Sequence, residues 1–245
     1  MKTTTRNVSV DADGLILSGI LHLPSCTPLA LIVGCHGLMA DKTSPKQIDL
    51  ARQCAEKEMA YFRFDHRGCG ESEGDFETDT TLEGRTTDLL AVVRELPAIM
   101  DREDIPIGLF GSSLGGTVCL SAASRIQPFS IVTLAAPVQR QAIHLPEHSP
   151  ESLKTEFRQN GLHFDITDDL HNIHHILVIH GDEDETVPVQ NAHLIYKLSC
   201  EPKKLLILRN GDHRITDEIH QKQYTHDTVQ WFKAYCPGSS ENENN

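Results

Sequence analysis

The chain begins with two segments in which apolar and polar residues alternate, as they do in strands with one buried face. These segments cover residues 6–10 and 14–23, and they flank the junction at Asp13-Gly14. An Asp-Gly pair between alternating segments is typical of a tight turn. The pattern therefore predicts an antiparallel hairpin at the start of the chain.

After the hairpin, short continuous apolar runs alternate with longer segments of helical spacing. Such runs are typical of strands that are buried on both faces of a parallel sheet. We predict strands at 29–35, 60–64, 105–110, 129–136, 175–180 and 204–209, and helices at 45–57, 81–100, 114–126, 188–199 and 221–235. Strand–helix alternation implies right-handed crossovers, so the fold class is α/β, with helices flanking a parallel sheet.

One stretch departs from this rhythm. Residues 137–174 separate two predicted strands and contain one predicted helix, with Ser149 as N-cap, Pro150 at the first position and Glu151 in the first turn. The stretch is too short to form a core of its own, so we interpret it as a short cap segment. We therefore predict a single domain over residues 1–236, followed by a disordered polar tail at 237–245.

The composition argues against nucleic-acid binding and membrane binding. Lys and Arg total 22 and Asp and Glu total 35, which gives a formal net charge of −13. An acidic chain has no electrostatic reason to bind nucleic acid or an anionic membrane. The sequence lacks an apolar run of about 18 residues, and its start lacks the apolar core of a secretory signal. Its seven scattered cysteines include no C-x-x-C pair, so we expect reduced thiols and a cytoplasmic protein.

Residues that could carry chemistry follow the predicted strands, where ligands bind in open parallel sheets. Gly111-Ser112-Ser113-Leu114-Gly115 is a G-x-S-x-G motif between a predicted strand and a predicted helix. In that setting the turn is strained and presents the central serine hydroxyl above the sheet edge. Ser113 is therefore the predicted nucleophile, and the backbone N–H of Leu114 is a predicted donor to an oxyanion.

A serine nucleophile needs a base, and the base needs an acid. His213 follows the last predicted strand within four residues, so it can reach over the same edge. The loop after the 175–180 strand contains four consecutive carboxylates at 182–185. Strand position does not choose between Asp182 and Asp184, although Asp182, directly after Gly181, is the better placed to cap the turn.

A second oxyanion donor is expected in the loop after the 29–35 strand, which contains His36-Gly37-Leu38-Met39. The glycine allows the backbone to turn so that an N–H, that of Leu38, faces the nucleophile. His36 is interpreted as a structural residue that holds this turn, with a role as a second base as the alternative.

Together these elements resemble the α/β-hydrolase superfamily. The motifs that carry the resemblance are His36-Gly37, the run R-F-D-x-R-G-x-G-x-S-x-G at 63–74, G-x-S-x-G at 111–115, and His180-Gly181-x-x-Asp184-x-x-Val187-Pro188. The 63–74 run is similar to that of small bacterial serine esterases of the cinnamoyl (feruloyl) type, and of the acylglycerol lipase and serine aminopeptidase group. The resemblance implies an eight-stranded, mostly parallel sheet whose second strand is antiparallel, and it implies Asp184 as the acid.

The predicted function is a serine carboxylesterase that cleaves small or medium acyl esters through an acyl-enzyme, with Ser113, Asp184 and His213 as catalytic residues. No cofactor is implied, and no Cys or carboxylate pattern completes a zinc site around His171, His174 and His175. A serine peptidase or acyl-peptide hydrolase is the nearest alternative, because the carboxylates at 183–185 could bind an α-amino group. A catalytically silent binding scaffold is the alternative outside enzymes.

Overall fold

The structure is a computed structural model in which residues 3–139 and 164–238 are described. Within these ranges the strands form one eight-stranded sheet with the order β1-β2-β4-β3-β5-β6-β7-β8. The strands are β1 (Thr4–Ala12), β2 (Leu15–Leu23), β3 (Leu31–Cys35), β4 (Ala60–Phe64), β5 (Ile107–Ser112), β6 (Ser130–Leu134), β7 (Ile176–Gly181) and β8 (Lys203–Leu208).

The predicted hairpin is present. Strands β1 and β2 pair antiparallel up to Ala12 and Leu15, and both turn residues have positive φ, 55° at Asp13 and 88° at Gly14. The N–H of Gly14 also donates to the side chain of Asp11 at 2.7 Å. Strand β2 is antiparallel to β4 as well, so it runs against the parallel strands of the sheet, as the resemblance implied.

Strands β3 to β8 are parallel to one another. The helices are α1 (Pro45–Glu56), α2 (Phe76–Asp79), α3 (Leu82–Ile99), α4 (Leu114–Ile126), α5 (Gln190–Leu198) and α6 (Glu218–Tyr235), with a 3₁₀ helix at Asp168–Asn172. One hydrophobic cluster contains residues of α3, α4 and α5, and the other contains residues of α1 and α6. Helices therefore cover both faces of the sheet, and the predicted α/β-hydrolase fold is confirmed.

Two local predictions differ from the structure. Strand β8 was expected to be buried on both faces, but of its six residues only Leu208 is fully buried. It lies at the edge of the described sheet, where its neighbours cover it incompletely. The four-residue helix α2 was not predicted, because its stability comes from a local cap: the side chain of Asp75 accepts the N–H groups of Glu77 and Thr78.

The predicted cap helix at Ser149-Pro150-Glu151 lies outside the described residues, as does most of the predicted tail. The flanks of the segment are close together, since Gln139 and Asp165 form an antiparallel bridge and a 2.8 Å side-chain hydrogen bond. Cys26 and Cys200 are exposed thiols, whereas the other five cysteines are buried. Neither described range contains a helix that is long and apolar enough to cross a membrane.

The first turn of α4 packs tightly against the end of β3. A Cβ atom added to Gly115 would lie 2.3 Å from the carbonyl oxygen of Cys35, which is rigid backbone. Only glycine allows this approach, which brings the turn between β5 and α4 beside the loop that follows β3.

We expect Gly115→Ala to lower the free energy of unfolding by about 1–3 kcal/mol, the usual cost of overpacking. In a chain of this size each kcal/mol corresponds to about 2–4 °C in melting temperature, so thermal unfolding is a suitable measurement. Ser124→Ala is the matched control because Ser124 is exposed on the same helix. An unchanged melting temperature for Gly115→Ala would show that the contact is not restrictive.

Candidate active site

Ser113 occupies a sharp turn between β5 and α4. Its backbone lies at φ 53° and ψ −127°, a region that side-chain-bearing residues rarely populate and that costs about 1–3 kcal/mol. Two backbone hydrogen bonds hold this conformation: the N–H of Ser113 donates to Leu134 of β6, and its carbonyl accepts from Gly116, both at 2.8 Å. A Cβ on Gly111 would lie 2.3 Å from the carbonyl oxygen of Gly115, which explains why the motif needs glycine at that position.

His213 and Asp184 are brought together from the loops after β8 and β7. The Nδ1 atom of His213 lies 2.8 Å from Oδ2 of Asp184. The Asp184 side chain is fully buried, whereas 16% of the His213 side chain is exposed. The other oxygen of Asp184 accepts the backbone N–H groups of Thr186 and Val187 at 2.9 and 2.7 Å. The carboxylate is therefore fixed in orientation, with one oxygen committed to the imidazole.

A second imidazole also faces this carboxylate. The Nε2 atom of His180 lies 3.2 Å from Oδ2 of Asp184 and 2.8 Å from the carbonyl oxygen of Val187. Burial alone would raise the pKa of Asp184, but the hydrogen bonds from His180 and His213 outweigh it. The net effect lowers the pKa of Asp184 well below its ordinary value, so the group is an anion at neutral pH.

The neighbouring carboxylates have other partners. The Oδ1 atom of Asp182 accepts the N–H of Asn210 at 2.5 Å, and Glu185 accepts the backbone N–H of His213 at 3.1 Å. Both contacts tie the β7 loop to the β8 loop, and a Cβ on Gly181 would lie only 2.1 Å from the carbonyl oxygen of Gly211. Asp184 is thus the carboxylate of this loop that reaches the His213 ring, a distinction that strand position could not make.

The loop after β3 lies directly beside Ser113. A Cβ added to Gly37 would be 3.3 Å from Cβ and 4.0 Å from Oγ of Ser113. Among the hydrogen bonds of the described residues, none uses the N–H of Leu38 or Leu114 as donor, and none joins Ser113 to His213. A serine–histidine hydrogen bond in such sites often tightens only when substrate binds.

His36 is engaged through both ring nitrogens. Its Nε2 accepts the N–H of His66 at 3.0 Å, and its Nδ1 lies 2.7 Å from the carbonyl oxygen of Gly37. Burial, followed by the positive charge of Arg85, lowers the pKa of His36 well below its ordinary value. The ring is therefore neutral with no free nitrogen, which supports a structural role rather than the alternative of a second base.

Beneath this loop lies a polar network that sequence reasoning recovered only in part. Two charges of the 63–74 run find partners elsewhere in the chain: Asp65 accepts both the backbone N–H and the ammonium of Lys42, and Arg67 pairs with Asp88 at 2.7 Å. Lys42 and Asp88 were missed because each meets its partner across 20 or more residues of sequence, and no local motif marks such pairs. Arg85 was missed for the same reason.

Residues that might hold a metal were also considered. His174 and His175 lie with their Nδ1 atoms 2.7 Å apart. Across residues 3–139 and 164–238, no group of three or more His, Cys, Asp and Glu side chains is arranged to hold a metal ion.

Comparison with known proteins gives the family. Residues 27–159, more than half of the chain, match the family model Hydrolase_4, described as "Serine aminopeptidase, S33". The chain belongs to this family. It is 35% identical over 130 residues to monoglyceride lipase of Rattus norvegicus, an alignment that covers 53% of this chain and 42% of the lipase. The chain thus matches less than half the length of that relative.

Solved structures share the fold over almost the whole chain. Est1E of Butyrivibrio proteoclasticus, in a structure with ferulic acid bound, has a TM-score of 0.77 and 22% identity, covering 93% of this chain and 98% of that one. A Xanthomonas campestris α/β serine hydrolase, described as lacking a lid, has a TM-score of 0.72 and 20% identity over 97% of this chain and 98% of that one. At these identities the likeness establishes the α/β-hydrolase fold.

The lowered pKa of Asp184 has a consequence for acid stability. An ordinary aspartate has a pKa of about 3.9 in the unfolded chain, so ionised Asp184 stabilises the folded state above about pH 4. That contribution is lost as the pH falls through the lower folded-state pKa. We expect the free energy of unfolding of Asp184→Asn to change less than that of the unmodified chain between pH 5 and pH 2.5.

Urea unfolding at several pH values in this range measures the effect. Ser124→Ala, remote from the loop, should keep the unmodified pH dependence. Parallel curves for Asp184→Asn and the unmodified chain would contradict the assignment of a stabilising Asp184 anion.

Proposed function

We propose that this chain is a serine carboxylesterase that hydrolyses small or medium acyl esters, including esters of aromatic acids, through an acyl-enzyme. The observation that carries the proposal is the hydrogen bond between His213 and the buried Asp184 carboxylate, at the edge of the sheet where Ser113 occupies a strained turn. Family membership supports hydrolase chemistry, and the monoglyceride lipase relative supports an ester as the substrate.

The acid fixes the tautomer of the base. Because Asp184 Oδ2 is an acceptor, Nδ1 of His213 carries the proton and Nε2 presents a lone pair. That nitrogen removes the proton from Ser113 as Oγ attacks the ester carbonyl carbon. The imidazolium that forms is stabilised by the Asp184 anion, whose second oxygen is held by backbone donors.

The tetrahedral intermediate places a negative charge on the former carbonyl oxygen. The backbone N–H groups of Leu38 and Leu114 are the proposed donors to this oxygen. The intermediate then expels the alkoxide, which takes the proton from His213 and leaves as an alcohol. The acyl group remains on Ser113 until His213 activates a water molecule, and hydrolysis releases the carboxylic acid and restores the serine.

Peptide hydrolysis is the alternative that the family description raises. It would require carboxylates free to bind a substrate ammonium. Of the three acids considered for this role, Asp184 contacts the His213 ring and Glu185 accepts the His213 N–H, whereas Glu183 is exposed. Because two of the three carboxylates are engaged within the protein, the loop favours an ester without an α-amino group. A panel of p-nitrophenyl esters, feruloyl esters and aminoacyl anilides separates the two, and faster turnover of the anilides would overturn the ester proposal.

Ser113→Ala should remove nearly all turnover of p-nitrophenyl esters, by about 10⁶-fold if the three residues act as a unit. Ser112→Ala is the matched control: Ser112 ends β5 one residue earlier, and its variant should retain activity. A fluorophosphonate should label the unmodified chain stoichiometrically and Ser113→Ala not at all. Absence of labelling in the unmodified, folded chain would instead favour a catalytically silent scaffold.

Asp184→Asn offers an amide where His213 needs an acceptor, so it favours the wrong tautomer and should reduce kcat by up to about 10⁴-fold. Asp182→Asn weakens only the contact with the Asn210 N–H, and should cost about 1 kcal/mol of stability with kcat largely unchanged. Measuring kcat and melting temperature for both variants tests the assignment. A folded Asp182→Asn without turnover, beside an active Asp184→Asn, would show that the acid is Asp182.

A further inference from the structure

One carbonyl group beside the nucleophile is held by an unusual number of donors. The oxygen of Gly37 lies 2.7 Å from Nδ1 of His36, accepts Nη1 of Arg85 at 3.3 Å and accepts the N–H of Ala40 at 3.3 Å. A backbone carbonyl has two lone pairs and is normally satisfied by one or two donors. The Ala40 contact closes a local turn, whereas the other two donors come from buried side chains.

The direction of the His36 contact follows from its other nitrogen. Nε2 of His36 accepts the backbone N–H of His66, and a neutral imidazole has one acceptor and one donor nitrogen. The proton is therefore on Nδ1, which donates to the Gly37 carbonyl. Burial keeps this ring neutral by lowering its pKa, so the tautomer is fixed by the fold.

Peptide geometry carries this anchoring to the reaction site. The carbonyl of Gly37 and the N–H of Leu38 belong to the same planar trans peptide and point in opposite directions. Since His36 and Arg85 hold the carbonyl on the buried side, the N–H must point away from them. Gly37 itself packs against Ser113, and within the described hydrogen bonds this N–H has no protein acceptor.

Arg85 is suited to polarising this peptide as well as holding it. Its side chain is fully buried in α3, and its Nη atoms donate to the carbonyl oxygens of His36, Gly37 and Leu38 and to the Cys69 thiol. Among the described residues no carboxylate lies in ion-pair contact with it; the nearby Asp88 pairs with Arg67 and His66. A cation bonded to one end of a peptide strengthens the donor at its other end, and a low-dielectric surrounding enlarges the effect.

We propose that Arg85 and His36 are positioning residues for ester hydrolysis, which aim and polarise the Leu38 N–H toward the oxyanion by holding the Gly37 carbonyl. The inference rests on the proposed function and extends it to two residues that do not touch the substrate. Such an effect acts on charge that develops in the transition state, so it changes kcat more than KM.

A pair of substitutions at His36 separates positioning from stability. His36→Asn places an amide N–H where Nδ1 lies and keeps the donor to Gly37, but it loses the acceptor for His66. His36→Gln does the reverse, because its carbonyl reaches the position of Nε2. Each variant therefore loses one buried hydrogen bond. We expect kcat for p-nitrophenyl butyrate to fall about 10- to 100-fold in His36→Gln and less than about threefold in His36→Asn, with small changes in KM.

Arg85 is tested with a control on the same helix. Arg85→Lys keeps the positive charge but loses the paired guanidinium donors, and Arg85→Met loses both. We therefore expect kcat to be highest in the unmodified chain, lower in Arg85→Lys and lowest in Arg85→Met. Arg94 is exposed on α3 and pairs with Glu95, so Arg94→Met should leave kcat unchanged. The affinity for a trifluoromethyl ketone, which forms an anionic adduct with a catalytic serine, should weaken in proportion to kcat/KM.

The outcomes separate the inference from the proposed function. An active unmodified chain in which His36→Gln keeps full kcat, or loses no more than His36→Asn, would overturn the inference alone. The inference would also be overturned if the loss of kcat across all variants correlated with the loss of melting temperature, because the effect would then be one of stability. This comparison remains informative even if Arg85→Met folds poorly. An unmodified chain with neither ester turnover nor fluorophosphonate labelling would overturn the proposed function, and the inference with it.

Discussion

The backbone of Ser113 is held at φ 53° against its own preference, and the arrangement of the site depends on that constraint. The strain is offset by hydrogen bonds to β6 and within the first turn of α4. The turn also requires glycine at positions 111 and 115, because a Cβ on Gly111 or Gly115 would lie 2.3 Å from a backbone oxygen. With these conditions met, the Ser113 turn lies at the sheet edge at which the loops after β3, β7 and β8 also begin.

Buried charges of opposite sign lie in different parts of this sheet edge. On one side, a fully buried carboxylate, Asp184, is fixed by two backbone donors and faces two imidazoles. On the other side, the buried guanidinium of Arg85 lies under the β3 loop and is solvated by backbone carbonyls. A negative group beside the proposed base and a positive group behind the proposed oxyanion donors would suit the proposed reaction, in which positive charge develops on the imidazole and negative charge on the carbonyl oxygen.

The buried polar network also gives the 63–74 run a structural role. Asp65 accepts the Lys42 backbone N–H, the Lys42 ammonium and the Glu71 N–H, and so joins the loop after β3 to the loop after β4. Buried ion pairs carry a large desolvation cost and are weak evidence for stability. Their effect here is on geometry, because they fix the loop that bears Leu38 relative to the sheet.

The sequence by itself predicted the strands of the sheet, the five longer helices of the described ranges and the order of the functional motifs. Alternation predicted the hairpin, apolar runs predicted the parallel strands, and G-x-S-x-G predicted a turn at Ser113, because each signal is local and depends on backbone geometry over a few residues. Whether a strand lies at the edge of the sheet depends on the topology of the whole chain, so the partial exposure of β8 was not predicted. Strand position left the four carboxylates of the 182–185 loop equivalent, and only the family resemblance singled out Asp184. The contact between Asp184 and His213 is made by the folded loop, because all four carboxylates follow the same strand and the loop conformation orients them. Tertiary structure also decided the partners of Lys42, Arg67 and Arg85. These charged side chains contact residues that are distant in the chain, and such contacts leave no periodic pattern in the sequence.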